Sequence, residues 1–383
     1  MTTSYSLTSA LQTHIAQTMA ARGGWIGFDE FMALALYTPG LGYYANDSAK
    51  FGRLPYARQE GQTVAGSDFV TAPEMTPLFG QTLAAQVAQA LQVTQTSEVW
   101  EFGAGSGALA LHLLDSFATL GLPLPRYRIV DLSGSLRERQ QKTLAKYAGT
   151  VQWCSELPTR LQGVVIGNEV LDAMPVKLLA RVGGVWFERG VGWSASGDLP
   201  PGDAAAFVWC DRATDLRPPL EIEGAHDYLT EIHPQAESFI RTLADKLSAG
   251  AVFLIDYGFS EHEYYHPQRH MGTVMCHRGH QSDTEPLLAP GLKDITAHVN
   301  FTGVALAAQE AGLGVLGYCT QARFLINCGL VAKLENATLV ERVQAQKLIM
   351  EHEMGELFKV IGLCQGEPWD AIGFAQGDRT HTL

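Results

Sequence analysis

Basic residues are scarce in this chain: 27 Lys and Arg stand against 40 Asp and Glu in 383 residues, a formal net charge of −13. Nucleic acid and anionic lipid both rely on clustered Lys and Arg, so this balance argues against either as a partner and leaves cationic substrates open. Paired cysteines are missing too. The six, at 154, 210, 276, 319, 328 and 364, form no CxxC, which suggests neither a zinc knuckle nor a disulfide framework and fits a reducing compartment. No run approaches the roughly 18 apolar residues of a membrane span. Residues 1–24 lack the apolar stretch of a secretory signal, and their single Arg makes a poor transit peptide. The expectation is a cytoplasmic protein without membrane insertion. No Gly-x-Ser-x-Gly stands where a strand should feed a helix, which removes the common nucleophile elbow of hydrolases.

What is present is the composition of a soluble globular enzyme, with 46% hydrophobic and 17% charged residues and 39 glycines. The length allows two or three structural units. Apolar positions at helical spacing over 8–22 and again from Phe28 to Leu36 predict a helical start, followed by a long irregular stretch from Tyr37 to Gly66 and a helix from Thr76 to Leu91. Strands and helices then alternate. The pattern predicts strand 98–102, helix 107–119, strand 127–132, helix 134–146, a strand near 151–154 and strand 163–167, a βαβ series. Gly183-Gly184 between VKLLARV and VWFERGVGW predicts a hairpin, with a further short strand from Ala206 to Cys210. Residues 194–225 read as a surface insertion, 234–248 as a helix, 251–258 as a strand and 259–294 as a second long loop. Asp294 to Ala311 reads as a helix with its approach, Val315 to Gly317 as a short strand and 338–364 as a terminal helical region.

Val99 to Leu114, VWEFGAGSGALALHLL, is the segment richest in chemical meaning: an apolar strand, a glycine turn and an amphipathic helix in succession. Gly103, Gly105 and Gly107 let the backbone turn sharply and approach a ligand beside a helix N-terminus. Two cofactor chemistries fit. Gly103, Gly105 and Ala108 satisfy the dinucleotide pattern, and Glu101-Phe-Gly-x-Gly-x-Gly is also the first motif of methyltransferases that use S-adenosylmethionine. Asp131, some 24 residues past Gly107, can accept hydrogen bonds from ribose hydroxyls in either case. Glu101 discriminates in part, because a carboxylate suits an ammonium group and offers nothing to a pyrophosphate. The bland alternative is that Glu101 caps the turn and Asp131 caps the next helix.

A second constellation, Gly167-Asn-Glu-Val-Leu-Asp-Ala-Met-Pro-Val176, follows the fourth strand of the series, at an end where ligands collect in open α/β sheets. Glu169 and Asp172, three apart, would share one side of a helical turn, able to grip a guanidinium or accept a proton from a nucleophilic nitrogen. Alternatively Asn168 caps a helix and both acids face water. Cys276, His277 and His280 lack a second ligand pair, so no metal is expected. Asp294 and His298 either share a helical face or leave Asp294 as an N-cap.

The chain resembles the MidA-like methyltransferases, whose mitochondrial members are assembly factors of respiratory complex I. The resemblance rests on the glycine motif together with TPGLGYYA at 38–45, DFVTAPEMTPLFGQ at 68–81, SLRERQ at 135–140, NEVLDAMPV at 168–176 and EIHP at 231–234. LIDYGF at 254–259, GTVMCHRGH at 272–280 and DITAHVNFT at 294–302 complete it. It implies an α/β fold of class I, a Rossmann-like doubly wound sheet with an N-terminal helical region and an inserted β-hairpin. The implied parts are a helical and loop region over 1–95, a methyltransferase core over 96–178 and 226–330, the insertion over 179–225 and a helical region over 331–383. Carried over by motif, Thr71, Glu74, Glu101, Gly103, Ala104, Gly105, Gly107, Asp131, Leu132 and Ser155 would hold S-adenosylmethionine, with Asp68 to Glu74 closing over it. Asn168, Glu169 and Asp172 would face the acceptor as catalytic residues. Three departures stand out: Asp131 where the family usually has Glu, Asn300 for a common Asp, and His233 for Asn or Ser.

The implied activity is methylation of an arginine side chain on a complex I core subunit or its bacterial counterpart, a protein partner, with a homodimer left open. Competing readings are an assembly chaperone that retains the S-adenosylmethionine pocket, a small-molecule methyltransferase and, furthest from the motifs, an NAD-dependent oxidoreductase.

Overall fold

A computed structural model describes residues 2–46, 71–131, 134–194, 207–279 and 281–383. The chain divides into two compact units. One comprises Ala49–Asp172, Glu237–Ser260 and Val299–Leu383; the other comprises Met1–Ser48, Ala173–Ala236 and Glu261–His298.

The first unit is a mixed α/β structure around an eight-stranded sheet. Across the sheet the strands run Leu313–Thr320, Phe358–Gln365, Leu247–Phe259, Leu161–Asn168, Glu98–Phe102, Arg126–Val130 and Val151–Cys154, with Val299–Asn300 pairing beside Leu247–Phe259. The five from Leu247–Phe259 to Val151–Cys154 are mutually parallel. Their apolar runs explain this. Val99, Ile129, Val164, Val165, Ile166 and the stretch Val252 to Ile255 are all buried, as strands covered on both faces by helices require. Helices Pro77–Thr94 and Ala108–Thr119 supply part of that cover, with Phe79, Val87, Leu113 and Phe117 packed into one core with Ile166, Phe253 and Val360. The first of these helices starts where its sequence says it should: Thr76 accepts a hydrogen bond from Leu78 N at 3.3 Å, and Pro77 takes the first helical position.

The C-terminal part departs from expectation. Helix Leu339–Ile349 opens with a capping box formed by Thr338 and Glu341, but residues 358–365 are a strand, antiparallel to Leu247–Phe259 on one side and Leu313–Thr320 on the other. Its run FKVIGLCQ is apolar enough to be buried from Phe358 to Cys364, and a short apolar run does not reveal by periodicity alone whether it is helix or strand. Asp294 to Ala311 is likewise not one helix with its approach. Asp294–Thr296 and Val299–Asn300 are strands, and the helix is Phe301–Glu310.

The second unit contains the expected hairpin. Lys177–Val182 and Val185–Trp193 pair across Gly183 and Gly184, whose φ values of +57° and +82° suit a tight two-residue turn. Strands Trp25–Gly27, Phe207–Ala213 and Tyr228–Ile232 extend this sheet, so the 194–225 stretch carries a strand within it. The stretch read as a loop from 259 to 294 holds the short helix Glu261–Tyr264 and strands Met275–Arg278 and Gln281–Asp283, the latter two in a small sheet with Asp294–Thr296. Ile15, Phe28, Phe31, Leu178 and Val191 form the core of this unit.

Candidate functional site

Two turns leave neighbouring parallel strands of the first unit. The first follows Glu98–Phe102. Gly103, Gly105 and Gly107 all have positive φ, at +63°, +52° and +82°, a backbone path that side chains with a Cβ resist. Gly107 N closes the turn on Ala104 O at 2.8 Å, and helix Ala108–Thr119 begins immediately after. Glu101, just before the turn, is only 2% exposed, and the buried Tyr127 hydroxyl donates to its Oε2 at 2.7 Å. Burial pushes the Glu101 carboxyl up to about 7, against the Tyr127 hydrogen bond that lowers it and with the Asp131 charge adding to the rise. Asp131 follows strand Arg126–Val130 and accepts from Gln140 Nε2 at 2.8 Å. Glu74 sits in the short helix Ala72–Met75, whose N-cap is Thr71; Arg139 lies 3.8 Å away. Burial raises the Glu74 carboxyl despite the Ser106 hydroxyl and the Arg139 charge, which lower it.

The second turn follows Leu161–Asn168 and is not helical. Glu169 adopts φ +55°, the left-handed region that is rare outside glycine, and its N–H donates to Ile255 O at 2.9 Å. The next three amides, of Val170, Leu171 and Asp172, all donate to Asp256 Oδ2 at 3.1, 2.9 and 3.2 Å. Asp256 Oδ1 accepts from Tyr257 N at 3.0 Å, and the Tyr257 hydroxyl donates to Asp172 Oδ2. Thus Asp172 and Glu169 are presented by backbone wrapped around a buried carboxylate, correcting the helical-turn expectation and with it the idea that Asn168 caps a helix. Asn168 Nδ2 instead donates to Glu169 Oε1 at 2.9 Å, while its Oδ1 is buried without a hydrogen-bond partner. Burial raises Asp256 well above the ordinary carboxylate range, with the Asp172 and Glu169 charges adding and the amides opposing. The two turns adjoin: a Cβ on Gly103 would lie 3.2 Å from Val170 Cγ2.

Residues 82–319 match the protein family described as "Putative S-adenosyl-L-methionine-dependent methyltransferase". The chain belongs to this family. S-adenosylmethionine is accordingly its cofactor, and methyl transfer its reaction. A crystal structure of a Burkholderia thailandensis protein bound to S-adenosyl-homocysteine is 46% identical, with a TM-score of 0.90, covering 99% of this chain and 98% of that one. Among curated proteins, the chain is 25% identical over 365 residues to the mitochondrial protein arginine methyltransferase NDUFAF7 homolog of Caenorhabditis elegans, covering 86% of this chain and 80% of the relative. The human protein arginine methyltransferase NDUFAF7 is 26% identical over 383 residues, covering 89% and 80%.

Other residues of this methyltransferase singled out in the sequence fall into place unevenly. Ala104 is buried inside the glycine turn, and Ser155 is exposed just beyond strand Val151–Cys154. Leu132, Asp68 to Val70 and His280 lie outside the described residues. Asn300 is a helix cap, accepting from Thr302 N and Gly303 N at 3.1 and 3.2 Å. Asp294 and His298 do not share a helical face. Asp294 lies in a strand, with both carboxylate oxygens 2.8 Å from the Tyr44 hydroxyl. His233 is buried, its Nε2 2.9 Å from His298 O, and burial lowers its pKa to about 4, outweighing that hydrogen bond. Among the described residues no group of three or more His, Cys, Asp or Glu is arranged to hold a metal ion, and no helix is long and apolar enough to cross a membrane.

Asp256, Tyr257 and Gln140 carry much of this geometry and were not singled out from the sequence. For Asp256 a signal existed: like Glu169, it is an acid at the end of an apolar run that becomes a parallel strand.

Proposed function

We propose that this methyltransferase modifies arginine side chains of a protein, with a respiratory complex I subunit or its bacterial counterpart as acceptor. The observation that carries the reading is the acidic turn, which gathers Glu169, Asp172 and Asp256 beside the glycine turn. A guanidinium remains protonated at neutral pH, with a pKa above about 12, and its nitrogen must lose a proton as the new C–N bond forms. Carboxylates meet both needs by pairing with the cation and accepting the proton. We assign these roles to Glu169 and Asp172, with Asn168 orienting Glu169 and the Tyr257 hydroxyl orienting Asp172. The names of the mitochondrial relatives support the same acceptor class.

We assign the sheet to class I, Rossmann-like, from its parallel strands and the antiparallel strand Phe358–Gln365 inserted next to its outermost strand. The residues present fit the cofactor. A half-ionised buried carboxyl at Glu101 suits an ammonium group, Asp131 suits ribose hydroxyls, and the positive-φ glycines let backbone approach between them. Thr71, Glu74, Ala104, Leu132 and Ser155 complete the proposed set. Bound there, S-adenosylmethionine supplies an electrophilic methyl group. The chain's own work is to hold the acceptor nitrogen in line and take its proton.

Incubation of the purified protein with complex I subunits and deuterated-methyl S-adenosylmethionine, followed by peptide mass spectrometry, is expected to find label on arginine. Glu169→Gln and Asp172→Asn should each reduce labelling by about a hundredfold, the usual range for losing a general base. Label appearing only on a small molecule, or undiminished in both variants, would overturn the proposal.

A further inference from the structure

Gln140 lies in helix Gly134–Thr143 with no exposed surface, and every polar group of its side chain is committed. Trp153 Nε1 donates to Gln140 Oε1 at 2.8 Å. Gln140 Nε2 donates to Asp131 Oδ2 at 2.8 Å and to Gly105 O at 3.1 Å. An indole N–H can only donate, so it fixes the amide oxygen toward Trp153 and turns both N–H bonds toward the two acceptors. The amide therefore has one satisfied orientation. It joins the middle of the glycine turn to the carboxylate that follows the adjacent strand. The helix backbone is equally close, since a Cβ on Gly107 would meet Gln140 Cα at 3.4 Å and Leu144 Cδ1 at 3.3 Å. A side chain needed only for packing would be apolar here, because burying an amide costs free energy unless each group finds a partner.

We propose that Gln140, oriented by Trp153, is a positioning residue that holds the Asp131 carboxylate against the Gly105 peptide so that the site recognises the cofactor's ribose. This rests on the assignment of Asp131 to the ribose hydroxyls. Its action is through Asp131, so its loss falls on ligands that carry those hydroxyls.

The test is calorimetric binding of S-adenosylhomocysteine and its 2′-deoxy analogue to the full chain and to Asp131→Asn, Gln140→Met and Trp153→Phe. The unaltered chain should prefer the natural ligand, and D131N should erase that preference. Q140M should weaken S-adenosylhomocysteine binding by about tenfold, the scale of one hydrogen bond to a charged group, with a smaller loss for the deoxy analogue, which keeps only the 3′-hydroxyl. W153F should lose part of the preference, because the amide is then free to rotate. Q140M weakening both ligands equally, or keeping the full preference that D131N erases, would overturn the positioning role while leaving the ribose assignment intact. A preference that survives in D131N would remove the ribose assignment and this proposal with it.

Discussion

With its carboxyl buried and titrating at about 7, Glu101 changes charge near neutral pH, so any cation it receives is bound with a pH dependence whose sign can be worked out. An ammonium group beside it favours the ionised form. Affinity for S-adenosylhomocysteine should thus be flat above pH 7 and fall by up to about tenfold per unit below it. Calorimetry between pH 5.5 and 8.5 would show the slope, and Glu101→Gln should remove it; the same slope in that variant would exclude Glu101 as its source. The linked effect on stability runs the other way. A carboxyl raised from 4.5 to about 7 contributes stability that is present below pH 4.5, is lost as pH rises through 7, and stays lost above. The place of Glu101 at the end of a strand, just before a glycine turn, was legible in the sequence, because the short run EVWEF stops at the glycines. The non-helical turn at Glu169 was not legible, because its left-handed φ goes with amides gathered by Asp256, 87 residues further on.

Among the elements, the parallel strands were foreseen to within a few residues, since apolar runs alternating with amphipathic helices leave little choice of period. How closely those strands approach was not visible. Gly250 and Gly163 face each other across Leu247–Phe259 and Leu161–Asn168, and a Cβ on Gly250 would lie 1.8 Å from Gly163 O. A Cβ on Gly163 would in turn lie 2.2 Å from Glu98 O, on the next strand. Their φ values of +138° and +127° add strain to any side chain. Gly250→Ala is therefore expected to cost on the order of 4 kcal/mol or more, the range of severe backbone clash. Gly149→Ala meets nothing within 4 Å and should be close to neutral. Urea midpoints of the two variants make the comparison, and equal midpoints would refute it.

At the scale of the whole molecule, each unit is assembled from three segments far apart in the chain. The strand Phe358–Gln365 is the clearest instance. Read locally it extends a helical tail; in place it bonds to strands on both sides. Ile361→Pro removes an N–H from that interior strand and forces a ring into the ladder, so soluble folded protein should fall sharply, by about 3 kcal/mol or more in stability. A wild-type melting curve for this variant would contradict the pairing.

That strand also orders events in time. Leu254 faces Ile361, so the stretch Ala251 to Tyr257, which carries Asp256, acquires its antiparallel neighbour only when chain about a hundred residues further on arrives. Until then the side of Ala251 to Tyr257 that this strand covers is an open edge, sticky toward other strands. In order of synthesis, therefore, the glycine motif precedes by about 150 residues the Asp256 on which the acidic turn hangs, and by about 250 the strand that flanks it.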